Sequence, residues 1–227
     1  TLLNKLGWAL ALIDLQPVDT QQYKNAIALT GDITDEKFVS AAAAETMKKF
    51  NRVDALVNNA GISNISPALD TTTDKYRQVL EVNLVAPFIL AKEFGKIMLD
   101  AGSGAIVNVA SVSAVRAGIG RTAYGTSKAA MVGLTKQLSM ELGPHGVTAN
   151  AIAPGPVLTP LTEASYTPET IEAYTSMIPA RRLGVLDDMS ATILFLLSEG
   201  AAYINGAYLP VDGGYLASGV SKTGKLS

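Results

Sequence analysis

The 227-residue chain has no cysteine, one histidine and one tryptophan, and aromatic residues make up only 6% of it. Without cysteine there is no disulfide framework and no thiolate to hold a metal, and redox chemistry leaves the compartment open. The single imidazole, His145, lies in the turn-like Gly143-Pro-His-Gly146 and reads as surface structure, neither a base nor a ligand, so no metal is expected. Trp8 reads as packing. Long apolar runs are missing too: stretches such as 193–197 fall far short of the ~20 residues a membrane-spanning helix needs. Charge of one sign is not in excess. Eighteen basic residues against 20 acidic ones give a net charge of −2, which supplies no general attraction to nucleic acid or anionic lipid. No signal-peptide pattern opens the sequence, so a soluble, cytoplasmic chain is expected.

What is present is a chain that is 48% hydrophobic and long enough for one α/β domain over residues 1–227, burying roughly 70–75% of its unfolded surface. Short β-branched and aliphatic runs alternate with longer amphipathic ones, the pattern of a parallel sheet with helices on both faces. Strands are expected at 8–14, 26–29, 55–58, 105–109, 147–153 and 207–211. Helices are expected at 35–50, 74–99, 123–142 and 187–197, and a shorter one opens at Thr167-Pro168, where Pro suits a first helical position. The fold class is therefore α/β, a Rossmann-type doubly wound parallel sheet in three α/β/α layers.

The chemistry centres on Tyr124-Gly-Thr-Ser-Lys128. On a helix, positions four apart share a face, so the phenol and the ammonium lie one turn apart. A neighbouring Lys⁺ favours phenolate, and each unit of lowered pKa corresponds to ~1.36 kcal/mol. A Tyr in the core and a Lys in solvent would give the same spacing. Asn83 adds an argument of its own. It follows Val79 and Leu80 by four and three positions, on an apolar face where a polar side chain is costly unless satisfied. Pro87, four residues on, has no N–H to give to the Asn83 carbonyl, which is then free to bind something else; a kinked structural helix is the alternative.

With Asn58-Asn59-Ala60-Gly61 ending one strand, Asn83, Ser111 ending another, Tyr124-x-x-x-Lys128 and Pro154-Gly155 ending a third, the sequence resembles the short-chain dehydrogenase/reductase family in its single-domain form. The intervals between these motifs match over nearly the whole chain, from Asp14 to Val211-Asp-Gly-Gly214. The resemblance implies a catalytic set of Asn83, Ser111, Tyr124 and Lys128. Tyr124 would exchange a proton with the substrate oxygen while hydride passes to or from nicotinamide C4. Ser111 would polarise that oxygen. Lys128 would lower the Tyr pKa and hold the nicotinamide ribose, and the Asn83 carbonyl would hold a water in a proton relay. Ser113 is a competing hydroxyl at the wrong interval from Tyr124.

The implied cofactor is NAD, bound across the carboxyl ends of the strands. Asp14 would accept the ribose hydroxyls and repel the extra phosphate of NADP, and Leu15 and Gln16 offer no cation for one; a solvated loop Asp is the alternative. Asp32 and Ile33 would lie at the adenine, and Asn59, Ala60 and Gly61 under the adenosine ribose, where a small side chain admits the backbone. Pro154, Gly155, Val157 and Thr159 would touch the nicotinamide end, with Tyr124 and Lys128. The Gly-rich phosphate turn of the family is not among the 227 residues; residues 1–7 resemble the tail of the helix that comes after it, so a first strand and that turn are expected before Thr1. The interval from Asp14 to Asp32 is also several residues shorter than usual for the family, so either the intervening helix is short or residues are missing there too.

The expected reaction is hydride transfer between NAD(H) and a small secondary alcohol or ketone, such as a polyol, sugar or cyclic alcohol. The runner-up, a 3-oxoacyl-thioester reductase using NADPH, would need a basic docking surface, for which only Arg181 and Arg182 speak. A non-catalytic dinucleotide-binding scaffold would be expected to have lost one of the four catalytic residues, and none is lost. Residues 161–177 would cover the substrate. Arg116 and Arg121 flank the site, where they suit an anionic substrate or simply face water. Helices 74–99 and 123–142 imply a homo-oligomer, a dimer or tetramer.

Overall fold

The computed structural model describes residues 2–159, 162 and 166–219. In chain order the strands are β1 (Leu10–Asp14), β2 (Ala26–Thr30), β3 (Ala55–Asn58), β4 (Gly104–Val109), β5 (Val147–Pro154) and β6 (Tyr208–Val211). The α-helices are α1 (Leu2–Lys5), α2 (Glu36–Phe50), α3 (Thr73–Leu80), α4 (Ala86–Ala101), α5 (Thr122–Leu142), α6 (Pro168–Met177) and α7 (Leu186–Leu196). All strand pairs are parallel. α2, α4 and α5 pack on one face around Val39, Ile89, Phe94, Ile106 and Ala149, and α7 packs on the other around Val107, Ile152 and Leu196. This is the expected doubly wound α/β/α arrangement.

Local chemistry sets the helix ends. The side chains of Asp35, Thr72 and Thr167 accept from the N–H of Lys37, Lys75 and Thr170, satisfying donors that the first turn leaves unpaired. Asn51 (φ 57°) and Gly102 (φ 68°) end α2 and α4 in the left-handed conformation. Gly7 at φ 91° turns the chain out of α1, and Trp8 N–H stays bonded to Leu3 O at 3.1 Å. That contact is why β1 begins at Leu10 and not at residue 8.

Two expectations need correction. Residues 74–99 do not form one regular α-helix: α3 and α4 are joined by a π-helical segment, Glu81–Val85, with Ala86 N–H bonded to Glu81 O. Pro87 lacks the N–H that an α-helix would direct at Asn83, and the wider turn accommodates that loss. Between β1 and β2 the 15–25 connection contains no helix at all, only turns and bends. Every residue of β1 and β2 is consequently at least partly exposed, whereas five residues in succession are buried in β5.

The sheet is interrupted once. β1 pairs with β2 only, while β3-β4-β5-β6 form a separate run. Between them lies a cavity of about 1280 Å³, lined by Leu10, Leu12 and Asp14 from β1 and by Ala55, Val57 and Asn58 from β3. On its far side β3 is pinned by a buried polar ladder. Asn58 Nδ2 donates to Asn108 Oδ1 (2.8 Å), Asn108 Nδ2 to Thr135 Oγ1 (2.9 Å), and Thr135 Oγ1 to Met131 O (2.8 Å). Asn58 Oδ1 is buried without a hydrogen-bond partner.

Candidate active site

Because the strands are parallel, their carboxyl ends share one edge of the sheet, and that edge collects the residues singled out in the sequence. Asp14 ends β1, Asp32 and Ile33 follow β2, and Asn59, Ala60 and Gly61 follow β3. Ser111 follows β4, Pro154 ends β5, and Gly155, Val157 and Thr159 come after it. Asp14, Ile33, Asn59 and Ala60 all line the cavity at the sheet break. Asp14 Oδ1 accepts from Gln16 N–H at 2.9 Å, which orients the carboxylate at the exposed strand end. Asp32 Oδ1 is held by Thr34, through its N–H (2.9 Å) and its hydroxyl (2.8 Å). Gly155 lies so close to the loop after β6 that a Cβ there would come within 2.8 Å of Asp212 Cα. Val157 bridges to Gly184, and the Thr159 hydroxyl shares a 3.0 Å hydrogen bond with that of Thr162.

The polar centre is built from α5 and the π segment. Tyr124 and Lys128 stand one turn apart on α5, with Lys128 Nζ 5.8 Å from the Tyr124 ring centroid. The ammonium is buried and donates to Val109 O at 2.6 Å. Burial pulls the Lys128 pKa down from 10.5 to about 8. It therefore remains mostly protonated near pH 7, by roughly ten to one. Asn83 is fully buried. Its Oδ1 accepts from Ile62 N–H (2.8 Å), and its Nδ2 donates to Ile62 O (2.9 Å) and Ser127 Oγ (3.0 Å). A Cβ at Gly61 would lie 3.1 Å from Asn83 Oδ1 and 3.6 Å from Lys128 Nζ, so the loop passes directly over both side chains. Ser111 Oγ accepts from Ser113 N–H at 3.1 Å, and the Tyr208 hydroxyl donates to Ser111 O at 3.0 Å, fixing the loop at both ends.

Several contributors escaped the sequence reading. Ser127 donates to Tyr124 O at 2.7 Å while accepting from Asn83, and so couples α5 to the π segment; its place just before Lys128 was the available signal. Tyr166, Tyr174 and Tyr215 form a ring cluster with centroids 5.5 and 6.3 Å apart. The Tyr166 phenol is shifted upward, chiefly by burial and then by the neighbouring Tyr174 phenol. Of the expected cover over 161–177, residues 161 and 163–165 lie outside the described residues; the remainder gives α6. Arg182 forms a bidentate pair with Asp188 at 2.6 and 2.9 Å, and Arg181 donates to Ser176 O at 2.8 Å.

The buried ammonium permits a direct test. Because the folded-state pKa of Lys128 lies below its ordinary value of 10.5, the unfolded chain binds more protons between about pH 8 and 10.5. Stability should rise with pH through that window. The penalty applies in full below about pH 8. Lys128→Met removes the titration, so the parent should gain about 3 kcal/mol relative to the variant between pH 7.5 and 10.5. Parallel unfolding free energies at the two pH values would refute the assignment.

The fold is of the Rossmann class, a parallel α/β sheet with a phenol, a buried ammonium, a serine and an asparagine near its carboxyl edge. The profile of the family described as Enoyl-(Acyl carrier protein) reductase matches residues 1–216. D-threitol dehydrogenase of Mycolicibacterium smegmatis is 40% identical over 184 residues, 81% of this chain and 71% of that protein. A 3-oxoacyl-[acyl-carrier-protein] reductase of Buchnera aphidicola is 36% identical over 190 residues, covering 84% and 77%. The crystal structure of a gluconate 5-dehydrogenase from Burkholderia cenocepacia, in complex with NADP and tartrate, superposes with a TM-score of 0.89 at 28% identity, covering 96% of this chain and 89% of that one. The chain belongs to the short-chain dehydrogenase/reductase family, whose members of this kind are oxidoreductases acting on CH–OH groups.

Proposed function

We propose that the protein transfers hydride between NAD(H) and a small secondary alcohol or its ketone, in the polyol, sugar or cyclic-alcohol range. The carrying observation is the pairing of Tyr124 with the buried Lys128 ammonium, 5.8 Å from the ring. In this reading Tyr124 exchanges the proton with the substrate oxygen, and Ser111 polarises it. Lys128 supplies positive charge against the phenol and holds the nicotinamide ribose. The Asn83 side chain is spent on Ile62 and Ser127, which leaves its carbonyl, without a donor at Pro87, as the relay group. The nicotinamide supplies the hydride acceptor or donor at C4 when bound. Asp14, Asp32, Ile33, Asn59, Ala60 and Gly61 would hold the adenosine half, and Pro154, Gly155, Val157 and Thr159 the nicotinamide half.

NAD is favoured over NADP by Asp14, a carboxylate at the strand end followed by Leu15 and Gln16, which bring no positive charge. The acyl-thioester reading, suggested by the Buchnera relative, is weakened because Arg182 is paired with Asp188, which leaves Arg181, bonded to the Ser176 carbonyl, as the remaining cation of the two. Screening polyols, sugars and acyl thioesters by the absorbance of reduced nicotinamide tests the reading. Turnover of acyl thioesters alone, with NADPH, would replace it.

We further propose a homo-oligomer formed through α4 and α5. Phe88 and Met140, on these two helices, are 48% and 75% exposed, an apolar exposure that a helix-to-helix contact would cover. Light scattering at micromolar concentration should give a multiple of 23.7 kDa, and Phe88→Glu with Met140→Glu should reduce it. A monomer in the parent would overturn this.

A further inference from the structure

The sequence offers Arg116 and Arg121 as equivalent neighbours of the site, but the fold gives them different work. Arg116 is a strut. Its guanidinium lies 4.0 Å from the Tyr215 ring centroid, Nη1 donates to Tyr215 O at 2.9 Å, and Nη2 reaches Met177 Sδ at 3.8 Å, tying the end of α6 to the segment after β6. Arg121 is placed differently. Its guanidinium stands over the Tyr124 ring, 5.6 Å from the centroid, and makes one hydrogen bond, from Nη1 to Ser63 Oγ at 3.0 Å. Among the described residues no carboxylate pairs with it.

The helix-capping position does not itself call for an arginine. Arg121 is the N-cap of α5, where Ser, Thr, Asp or Asn would satisfy a free N–H, and its side chain makes no capping bond. No acidic residue stands in the first turn to offset its charge. The surroundings nevertheless hold it firmly. Arg121 N–H donates to Gly118 O, Gly120 adopts φ 73°, and Gly120 O accepts from Ser66 N–H. Ser63 follows Ile62, which Asn83 clamps through both its N–H and its carbonyl. A planar fork with most of its donors free is thus held over the Tyr124 ring by its contact with Ser63.

We propose that Arg121 is a specificity-determining residue that binds the carboxylate of a hydroxy acid or keto acid whose reacting carbon lies a few carbons away at Tyr124. The inference rests on the hydride-transfer reading of Tyr124 and deepens it: the substrate class narrows from polyols in general to sugar acids of the aldonate type. A bidentate guanidinium–carboxylate contact would orient the chain of the substrate as well as bind it.

The test uses pairs of compounds that differ only at one end, gluconate with glucitol, galactonate with galactitol and glycerate with glycerol, each given to the full-length protein with NAD or NADH. Binding is read by calorimetry and turnover by reduced-nicotinamide absorbance. In at least one pair the acid should bind roughly 10- to 100-fold more tightly than the polyol, the span expected for hydrogen bonds to a charged group. Arg121→Gln should bring that ratio close to one through KM, Arg121→Lys should restore part of it, and Arg116→Gln should leave the ratio in place even if it lowers stability. The proposal is overturned if the acid binds no better than the polyol in every pair, if Arg121→Gln keeps the preference, or if Arg116→Gln is the change that removes it. Tight acid binding that depends on Arg121 without any turnover would instead refute the hydride-transfer reading and leave the carboxylate site standing.

Discussion

Tyr124→Phe is expected to lower kcat/KM by about 10²- to 10⁴-fold, the usual contribution of a positioned acid or base, with NADH binding close to that of the parent. The substitution keeps the ring that Arg121 overlies and removes only the hydroxyl. The hydrogen bond that ties residue 124 to Ser127 goes to its backbone carbonyl and survives the change. A fold defect is therefore not the expected source of any loss. Rapid-mixing measurement of the hydride step, alongside cofactor titration, separates the two parameters. If the variant retained most of the parent rate, the proton donor would have to be sought elsewhere, and Ser111, held by Ser113 N–H at 3.1 Å, would be the next group to alter.

The second large effect concerns the cofactor. Asp14→Ala should reduce the preference for NAD over NADP by roughly 10- to 100-fold, because hydrogen bonds to a carboxylate are worth about 1.5–3 kcal/mol and the repulsion of a 2′-phosphate disappears with them. One oxygen of Asp14 is engaged by Gln16 N–H at 2.9 Å. Adding a cation at the next position, Leu15→Arg, should carry the preference further toward NADP. An unchanged ratio of catalytic efficiencies in Asp14→Ala would show that this carboxylate does not read the ribose.

Much of the architecture was legible because periodicity and spacing are local. Six strands and the longer helices come from alternating aliphatic and amphipathic runs, and the Tyr124–Lys128 pairing from one helical turn. The missing N–H at Pro87 was legible in the same way, but its consequence was not. A proline shows that a bond is lost, whereas only the packing of Asn83 against Ile62 and Ser127 decides that the backbone widens into a π turn. The 15–25 connection is short for a parallel crossover, and its shortness was legible, but the sequence pointed to a short helix or missing residues where the chain makes only turns and bends. The ring cluster was out of reach for a different reason. Tyr166, Tyr174 and Tyr215 come from separate segments, and no local pattern reports that they meet. Nor could spacing separate Arg116 from Arg121, five residues apart, one locked to Tyr215 and the other not.

The π turn has a mechanical meaning of its own. An α-helix advances about 100° per residue, so the extra residue carried by a π turn resets the phase between the helical segments on its two sides. α3 and α4 can therefore face in directions that no single unbroken helix would allow. Asn83 aims at the loop after β3, while Ile89, Leu90 and Phe94 aim at the sheet. Removing one residue between Glu81 and Val85 would take away the extra residue but leave Pro87 without an N–H inside the narrower helix. It would also rotate Asn83 off Ile62, releasing Ser63 and, with it, the anchor of Arg121. The irregularity works as a phase adjuster, through which one continuous rod serves the core and the catalytic edge at once.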